Sequence, residues 1–285
     1  MVRVMGRRMR FAQIIRFFVL LALAVAWLIP MLWMLATSLK PESQIISIPP
    51  TWLPDQLSDL TLEHYRNVLF EPRRLGIGRA FLNTVQLCII IPTLVVVITS
   101  LAAYAFARLS FPGRDTLFVI LVLSMVIPGE ILLVPNFVTV WKFGWLNTYH
   151  AIIWPSLAVA GSVFFLRQFL LGIPVELEDA ARIDGCSRFG IFYRVVLPLI
   201  RGAVATQFFF VFLGTWNNFT WPYIVLSDLQ KMTLPVALAQ LQGTYWSEYG
   251  KLTASAAIAA IPPAILFIAS QRLIIRSITL TGIKG

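Results

Sequence analysis

Six runs of this chain are long enough, and empty enough of charge, to cross a lipid bilayer as helices. Phe17–Leu39, Ala80–Ala107, Gly202–Ser227 and Leu252–Gln271 contain no Asp, Glu, Lys or Arg. Thr116–Trp141 contains Glu130 alone, and Phe143–Leu166 has only His150 as a potential cation. A helix rises about 1.5 Å per residue, so about 20 residues cover a hydrocarbon core roughly 30 Å thick. Inside that core every backbone N–H and C=O must be satisfied within the protein, which restricts spanning segments to helices or closed barrels. The two-residue alternation of barrel strands is absent here. The expectation is an all-α polytopic membrane protein, one transmembrane domain over 1–285 with six spanning helices. Composition agrees: 58% of residues are hydrophobic and 13% charged, against about 45–50% and about 25% in soluble domains.

Several of the runs contain prolines: Pro30, Pro92, Pro128, Pro155, Pro222, Pro262 and Pro263. They would break soluble helices, but packed neighbours in a bundle re-satisfy the freed carbonyls. Placing the N-terminus inside puts fifteen of the 23 Lys and Arg residues on inner connections, as the positive-inside rule requires. Both termini are then expected in the cytoplasm. The net charge of +10 sits at membrane boundaries and is assigned to topology and lipid headgroups rather than to nucleic acid. Arg3, Arg7, Arg8 and Arg10 before an apolar run imitate a signal peptide. The run exceeds a typical signal core and lacks a small-residue cleavage site, so an uncleaved first helix is expected. Cys88 and Cys186 fall in different environments, so no disulfide is expected. His64 and His150 show no metal-ligand spacing and read as interfacial polar residues.

Two stretches outside the runs are sizeable. Lys40–Arg79 contains Ile48-Pro-Pro-Thr-Trp52 and a short amphipathic stretch over Leu62–Phe70; with Trp52, Tyr65 and Phe70 it reads as a lid at the membrane interface. Asp228–Lys251 combines Gln240, Gln242, Gly243, Tyr245, Trp246 and Tyr249, a mixture suited equally to sugar contact and to an ordinary interface. The turn at Phe111-Pro-Gly113 closes a short inner loop.

The remaining connection, 172–200, is unusual in length and charge. Pro174 can stand at a helix start, and Glu176, Glu178 and Asp179 follow where the helix dipole favours negative charge. Ala180 and Ala181 keep one surface small. Asp184-Gly185 is a stop signal, glycine permitting the left-handed backbone that ends helices. Ser187 can cap a second helix, along which Phe189, Phe192 and Val196 form an apolar stripe. A connector packed on its own bundle is the plain reading; a surface gripped by a soluble partner is the sharper one.

The run Glu178-Asp-Ala-Ala-Arg-Ile-Asp-Gly185, continuing to Leu197-Pro198, resembles the EAA loop of permease subunits in binding-protein-dependent ABC importers. Trp216-Asn-Asn-Phe-Thr-Trp-Pro222, the six-span length, Leu280-Thr-Gly282 and Lys284-Gly285 resemble the shorter permease of maltose-type carbohydrate systems. Three departures stand out: Asp179 where the family usually has Glu, Cys186 where it has a small alanine, and Gly202 where a proline often stands.

The resemblance implies a non-catalytic permease subunit of an ATP-driven importer in a bacterial or archaeal plasma (inner) membrane. Its implied partners are a sister permease, two copies of a nucleotide-binding ATPase, an external solute-binding protein and membrane lipid. ATP and Mg would be bound by the ATPase; the chain has no Gly-x-x-x-x-Gly-Lys-Ser/Thr loop of its own. The implied ATPase-coupling residues are Glu176, Glu178, Asp179, Ala180, Ala181, Asp184, Gly185 and Phe189. Glu178 and Asp179 would pair with basic groups of the ATPase, while Phe189 and Phe192 anchor the second arm.

The implied substrate is a sugar or oligosaccharide, with glycerol phosphate or amino acids as the alternative. Trp216, Asn217, Asn218, Trp221 and Glu130 are candidates for the translocation path. Polar groups in an apolar span usually face the bundle interior, although interhelical packing explains the same residues equally well. An autonomous secondary transporter would need ion-coupling residues that are scarce in these runs, and a membrane enzyme would need a His/Asp/Glu cluster within them.

Overall fold

The computed structural model describes residues 2–70, 76–241 and 248–281, with side chains over 13–70, 76–241 and 248–274. There is no strand among the described residues. In chain order the helices are α1 (Val2–Ser38), α2 (Glu42–Ile45), α3 (Glu63–Phe70), α4 (Ile77–Arg108), α5 (Arg114–Ser124), α6 (Leu133–Lys142), α7 (His150–Ile153) and α8 (Ala160–Leu171). They continue as α9 (Glu176–Ile183), α10 (Arg188–Ile191), α11 (Leu197–Leu199), α12 (Arg201–Trp216), α13 (Thr220–Val225), α14 (Leu234–Leu241) and α15 (Tyr249–Thr281). They divide into two compact units, Met1–Arg74 with Gln240–Ala259, and Leu75–Ala239 with Ala260–Gly285.

Among the described residues three helices are long and apolar enough to cross a membrane unbroken: Gln13–Ser38, Ile77–Arg108 and Tyr249–Ile274. Three bent pairs pass the same test together, giving up to six if each pair is one span; the last of them begins in the 172–200 connection, outside the expected fifth run. Arg114–Ser124 and Gly129–Lys142 meet at 95°, with Pro128 at the break disfavouring helix in the residue before it. His150–Leu157 and Ala160–Leu171 meet at 41°, and Arg188–Leu199 and Arg201–Trp216 at 78°. The fourth run starts at His150 rather than Phe143, because Gly144 and Asn147 take positive φ (68° and 58°) and turn the chain. The fifth has its long helix over Arg201–Trp216 and resumes only as the short Thr220–Val225. Pro30, Pro92, Pro262 and Pro263, by contrast, lie inside unbroken helices.

In the first unit α1 is exposed from Gln13 to Leu32, and the polar ordering begins at its end. The buried Lys40 ammonium donates to the Thr51 carbonyl and to Thr51 Oγ1 at 2.8 Å. It also lies 5.9 Å from the centroid of the Trp33 ring, and Trp33 meets Trp52 edge to face at 4.8 Å. The amphipathic stretch is α3, which buries His64 and Val68. His64 Nε2 is 2.8 Å from the Lys40 carbonyl, and Tyr65 Oη is 2.7 Å from Ser38 Oγ. His64 is therefore a core residue and not an interfacial one. The Glu42 carboxylate accepts from the backbone N–H groups of Tyr249 and Gly250 at 2.8 and 2.9 Å. Those donors have no partner inside their own helix, and the helix dipole favours a carboxylate there.

The second unit is built on α4. One end of α4 puts Ala103 and Tyr104 into a cluster with Leu166, Leu170, Ile191, Phe192, Val196 and Ile200. Further along, Leu87, Ile91 and Val95 pack with Val140, Ile152, Trp221 and Val225. One helix thus contributes to both of these clusters.

Candidate functional site

The charged connection folds as the sequence suggests at its corner. α9 covers Glu176–Ile183 and ends in a glycine-centred motif: Gly185 takes φ 82°. The Cys186 N–H reaches the Ala181 carbonyl at 3.0 Å, and the Gly185 N–H reaches that of Arg182 at 3.1 Å. These are the paired bonds that close a helix whose next residue is left-handed. Ser187 then accepts the Gly190 N–H at 3.2 Å and caps α10.

The acidic residues of α9 separate sharply. Glu176, Asp179 and Asp184 are exposed, and among the described residues Asp179 pairs with Arg182, one turn on, at 2.9 Å. Glu178 points the other way. Its side chain is 3% exposed; Oε1 accepts from Arg108 Nε at 2.5 Å, and Oε2 from the Tyr104 hydroxyl at 3.2 Å. Arg108 Nη2 also donates to the carbonyls of Leu170 and Ile173, both at 2.7 Å. Leu170 lies in the last turn of α8, where carbonyls lack helical donors. Glu178 is therefore not an outward charge for a partner, as the loop pattern suggested. Both its oxygens are committed inside this chain.

The apolar stripe is corrected in the same way. Phe192 and Val196 are buried, but Phe189 is 74% exposed and Ile191 takes the inward place. The cause is a π-helical stretch over Phe192–Val196. Its wider turn keeps Phe192, Val196 and Ile200, spaced by four, on one line of the core. What the connection shows outward is α9 with Ala180, Asp179, Leu177 and the 87% exposed Ile183, followed by Phe189. Ala181 is half-buried.

Beyond this lies a cavity of about 580 Å³ lined mainly from α4, α8 and α12, with Ile152 of α7 and Pro222 of α13. Its walls carry Leu87, Ile91, Ile152, Phe165 and Phe210, and its polar groups include Thr84, Ser162, Gln207, Thr215, Asn218 and Thr233. Gln207 Nε2 donates to Thr99 Oγ1 across the α4–α12 contact at 2.5 Å. Gln207 Oε1 and Thr233 Oγ1 are buried without a partner among the described residues.

Of the path candidates, Asn218 alone lines this cavity. Trp216 is buried, stacked on Phe212 with centroids 5.7 Å apart. Trp221 is buried and donates its indole N–H to the Ala151 carbonyl at 2.8 Å. Neither ring faces open space, because both fill the bundle core. Asn217 is exposed and turns back to the Leu213 carbonyl. Glu130 is exposed in the turn at the 95° bend. Gln242, Gly243, Tyr245, Trp246, Gly282, Lys284 and Gly285 lie outside the described residues. Sequence reasoning passed over Arg108, Gln207, Thr99 and Thr233. Gln207 was the findable one, an amide in an otherwise uncharged run.

Residues 77–280 match the family of binding-protein-dependent transport system inner membrane components. This chain belongs to that family. It is 37% identical over 256 residues to the arabinooligosaccharides transport system permease protein AraQ of Halalkalibacterium halodurans, covering 90% of this chain and 91% of that protein. It is 29% identical to the lactose transport system permease protein LacG of Rhizobium radiobacter, covering 93% and 94%. Its fold is that of a chain in the crystal structure of a bacterial ABC transporter importing the acidic polysaccharide alginate. That likeness has a TM-score of 0.78 at 21% identity and covers 92% and 96% of the two chains. The permease of an ABC importer thus has its fold and its exposed connection in one polypeptide.

Proposed function

We propose that this permease moves a sugar or oligosaccharide from an external binding protein into the cytoplasm, paired with a sister permease and driven by two copies of an ATPase. The observation carrying this reading is the outward face of α9 beside its Gly185 corner: a short helix with small, apolar and acidic residues exposed. Such a surface on a membrane protein suits a groove on a soluble motor subunit. Asp179, exposed and paired with Arg182 of its own helix, is the acid placed to meet a basic group there. ATP and Mg bind on that subunit, and its closure moves the α9 corner as a lever.

The cavity supports the sugar half of the reading. Its volume lies within the ~300–1,000 Å³ of small-molecule sites, and the half-buried Ser156, Thr215 and Asn218 of its lining carry groups able to hydrogen-bond sugar hydroxyls. The arabinooligosaccharide and lactose systems among the relatives point the same way. The N- and C-termini are read as cytoplasmic, on the side of α9.

The test is reconstitution of the chain with its sister permease, ATPase and binding protein in proteoliposomes. Uptake of labelled arabinooligosaccharides, lactose, glycerol 3-phosphate and amino acids is then compared with and without ATP. ATP-dependent uptake of a saccharide is expected. Uptake of only the phosphate or amino acids would replace the substrate class, and uptake by this chain alone would remove the importer reading.

A further inference from the structure

We propose that the buried Arg108–Glu178 pair is a rigid joint, and that α4 is the rod by which displacement of α9 reaches the cavity. The proposal rests on the coupling reading above and concerns what happens inside this chain once α9 is pushed. Glu178 and Arg108 are positioning residues in it, and neither touches the ATPase or the transported solute.

Glu178 is held at two points one turn apart on α4, by Tyr104 and by Arg108. Two anchors on one helix face fix direction as well as place, which a single contact would not. The same guanidinium closes the end of α8 through the Leu170 and Ile173 carbonyls, so three helices meet on one side chain. Removed from water, the pair is not weakened by solvent screening.

α4 itself is unbroken over 32 residues, about 48 Å at helical rise. The spans packed beside it bend at 95°, 41° and 78°. α4 stays one helix through Pro92, so motion applied at Arg108 is carried along it past the missing bond at that proline, whereas its neighbours break at their bends. Along that length α4 meets α12 through Thr99 and Gln207, and it lines the cavity with Thr84, Leu87 and Ile91. A shift of α9 thus arrives as a shift of the cavity wall and of the Thr99–Gln207 contact together. With the Gly185 corner closed by its two backbone bonds, α9 moves as one piece and its load reaches α4 through Glu178.

The experiment uses the assembled complex with Cys88→Ser and Cys186→Ser, and spin labels at Leu82→Cys and Tyr223→Cys. Both positions are exposed and lie near the cavity end remote from Arg108. Distance distributions are compared between the nucleotide-free complex and the complex trapped with ATP, Mg and vanadate. With Arg108 and Glu178 intact, trapping is expected to shift the distribution. In Glu178→Gln the complex is expected to assemble, and the shifted fraction per trapped ATPase to fall at least about fivefold, the lower end of typical inter-site coupling. Tyr104→Phe, which removes one anchor and keeps the ring volume, is expected to give a smaller fall and serves if the first variant does not fold. An unchanged shifted fraction in either folded variant overturns the joint. A native chain that never co-purifies with an ATPase overturns the coupling reading and the joint with it.

Discussion

Replacing Gly185 by valine probes the corner of the α9 connection with little else disturbed. A Cβ at this position would meet nothing within 4 Å, so sterics with neighbours contribute nothing. The whole effect comes from φ 82°, a region that sets an L side chain against its own backbone at about 1–2 kcal/mol. That strain is relieved by opening the last turn of α9, where the Gly185 and Cys186 N–H groups hold the Arg182 and Ala181 carbonyls. One to two kcal/mol is a factor of about 5–30 in the open population. Hydrogen exchange at the Gly185-position and Cys186 amides should accelerate by that factor, while insertion into the membrane is unchanged. Transport per ATP hydrolysed should fall with it, since a frayed α9 no longer transmits force. Asparagine tolerates the left-handed region better than alanine, and alanine better than valine. The expected order of coupling is therefore Gly, Asn, Ala, Val. If valine couples as well as asparagine, or exchange is unaltered, the backbone argument is wrong.

Asp179→Lys should reduce co-purification of the ATPase while costing the isolated chain at most about 0.5 kcal/mol, because its bond to Arg182 is an exposed one-turn pair; undiminished assembly would remove the charge-pair claim. Gly250→Ala places a methyl on the His64 imidazole and should destabilise by about 1–3 kcal/mol, as overpacking does. His64→Ala in the same chain should recover part of that loss in thermal melting, and no recovery would mean the ring is not the obstacle. Gln207→Leu removes the Thr99 contact and a polar side chain from the cavity lining. It should weaken saccharide uptake more than it weakens folding, where one such interhelical bond contributes about 1 kcal/mol. Equal losses in both would assign Gln207 to packing alone.

Three of the hydropathy runs coincide with unbroken helices long enough to span, while the other candidates are bent pairs, one of which takes its first half from the charged connection at Arg188–Leu199. Proline content alone did not discriminate. Pro128 sits at a break while Pro92 lies inside an unbroken helix, because the outcome depends on what neighbours supply to the freed carbonyl. Trp216 and Trp221 had the chemistry to stack on a sugar, and both are enclosed in the core instead. Phe189 and Phe192 read as equivalent members of one stripe until the π-helical stretch rotated one of them outward.

What the sequence determined by itself is whatever local physics decides. Long uncharged runs must become helices in lipid, and an Asp-Gly followed by serine ends one helix and caps the next with no help from distant residues. Only the tertiary structure decided which of two adjacent acids faces inward. Glu178 and Asp179 differ by about 100° around α9, and no periodicity within the helix says that Arg108, 70 residues earlier, stands on one side of it. Burying a carboxylate requires a partner brought there by the fold, so that assignment exists only once α4, α8 and α9 have met.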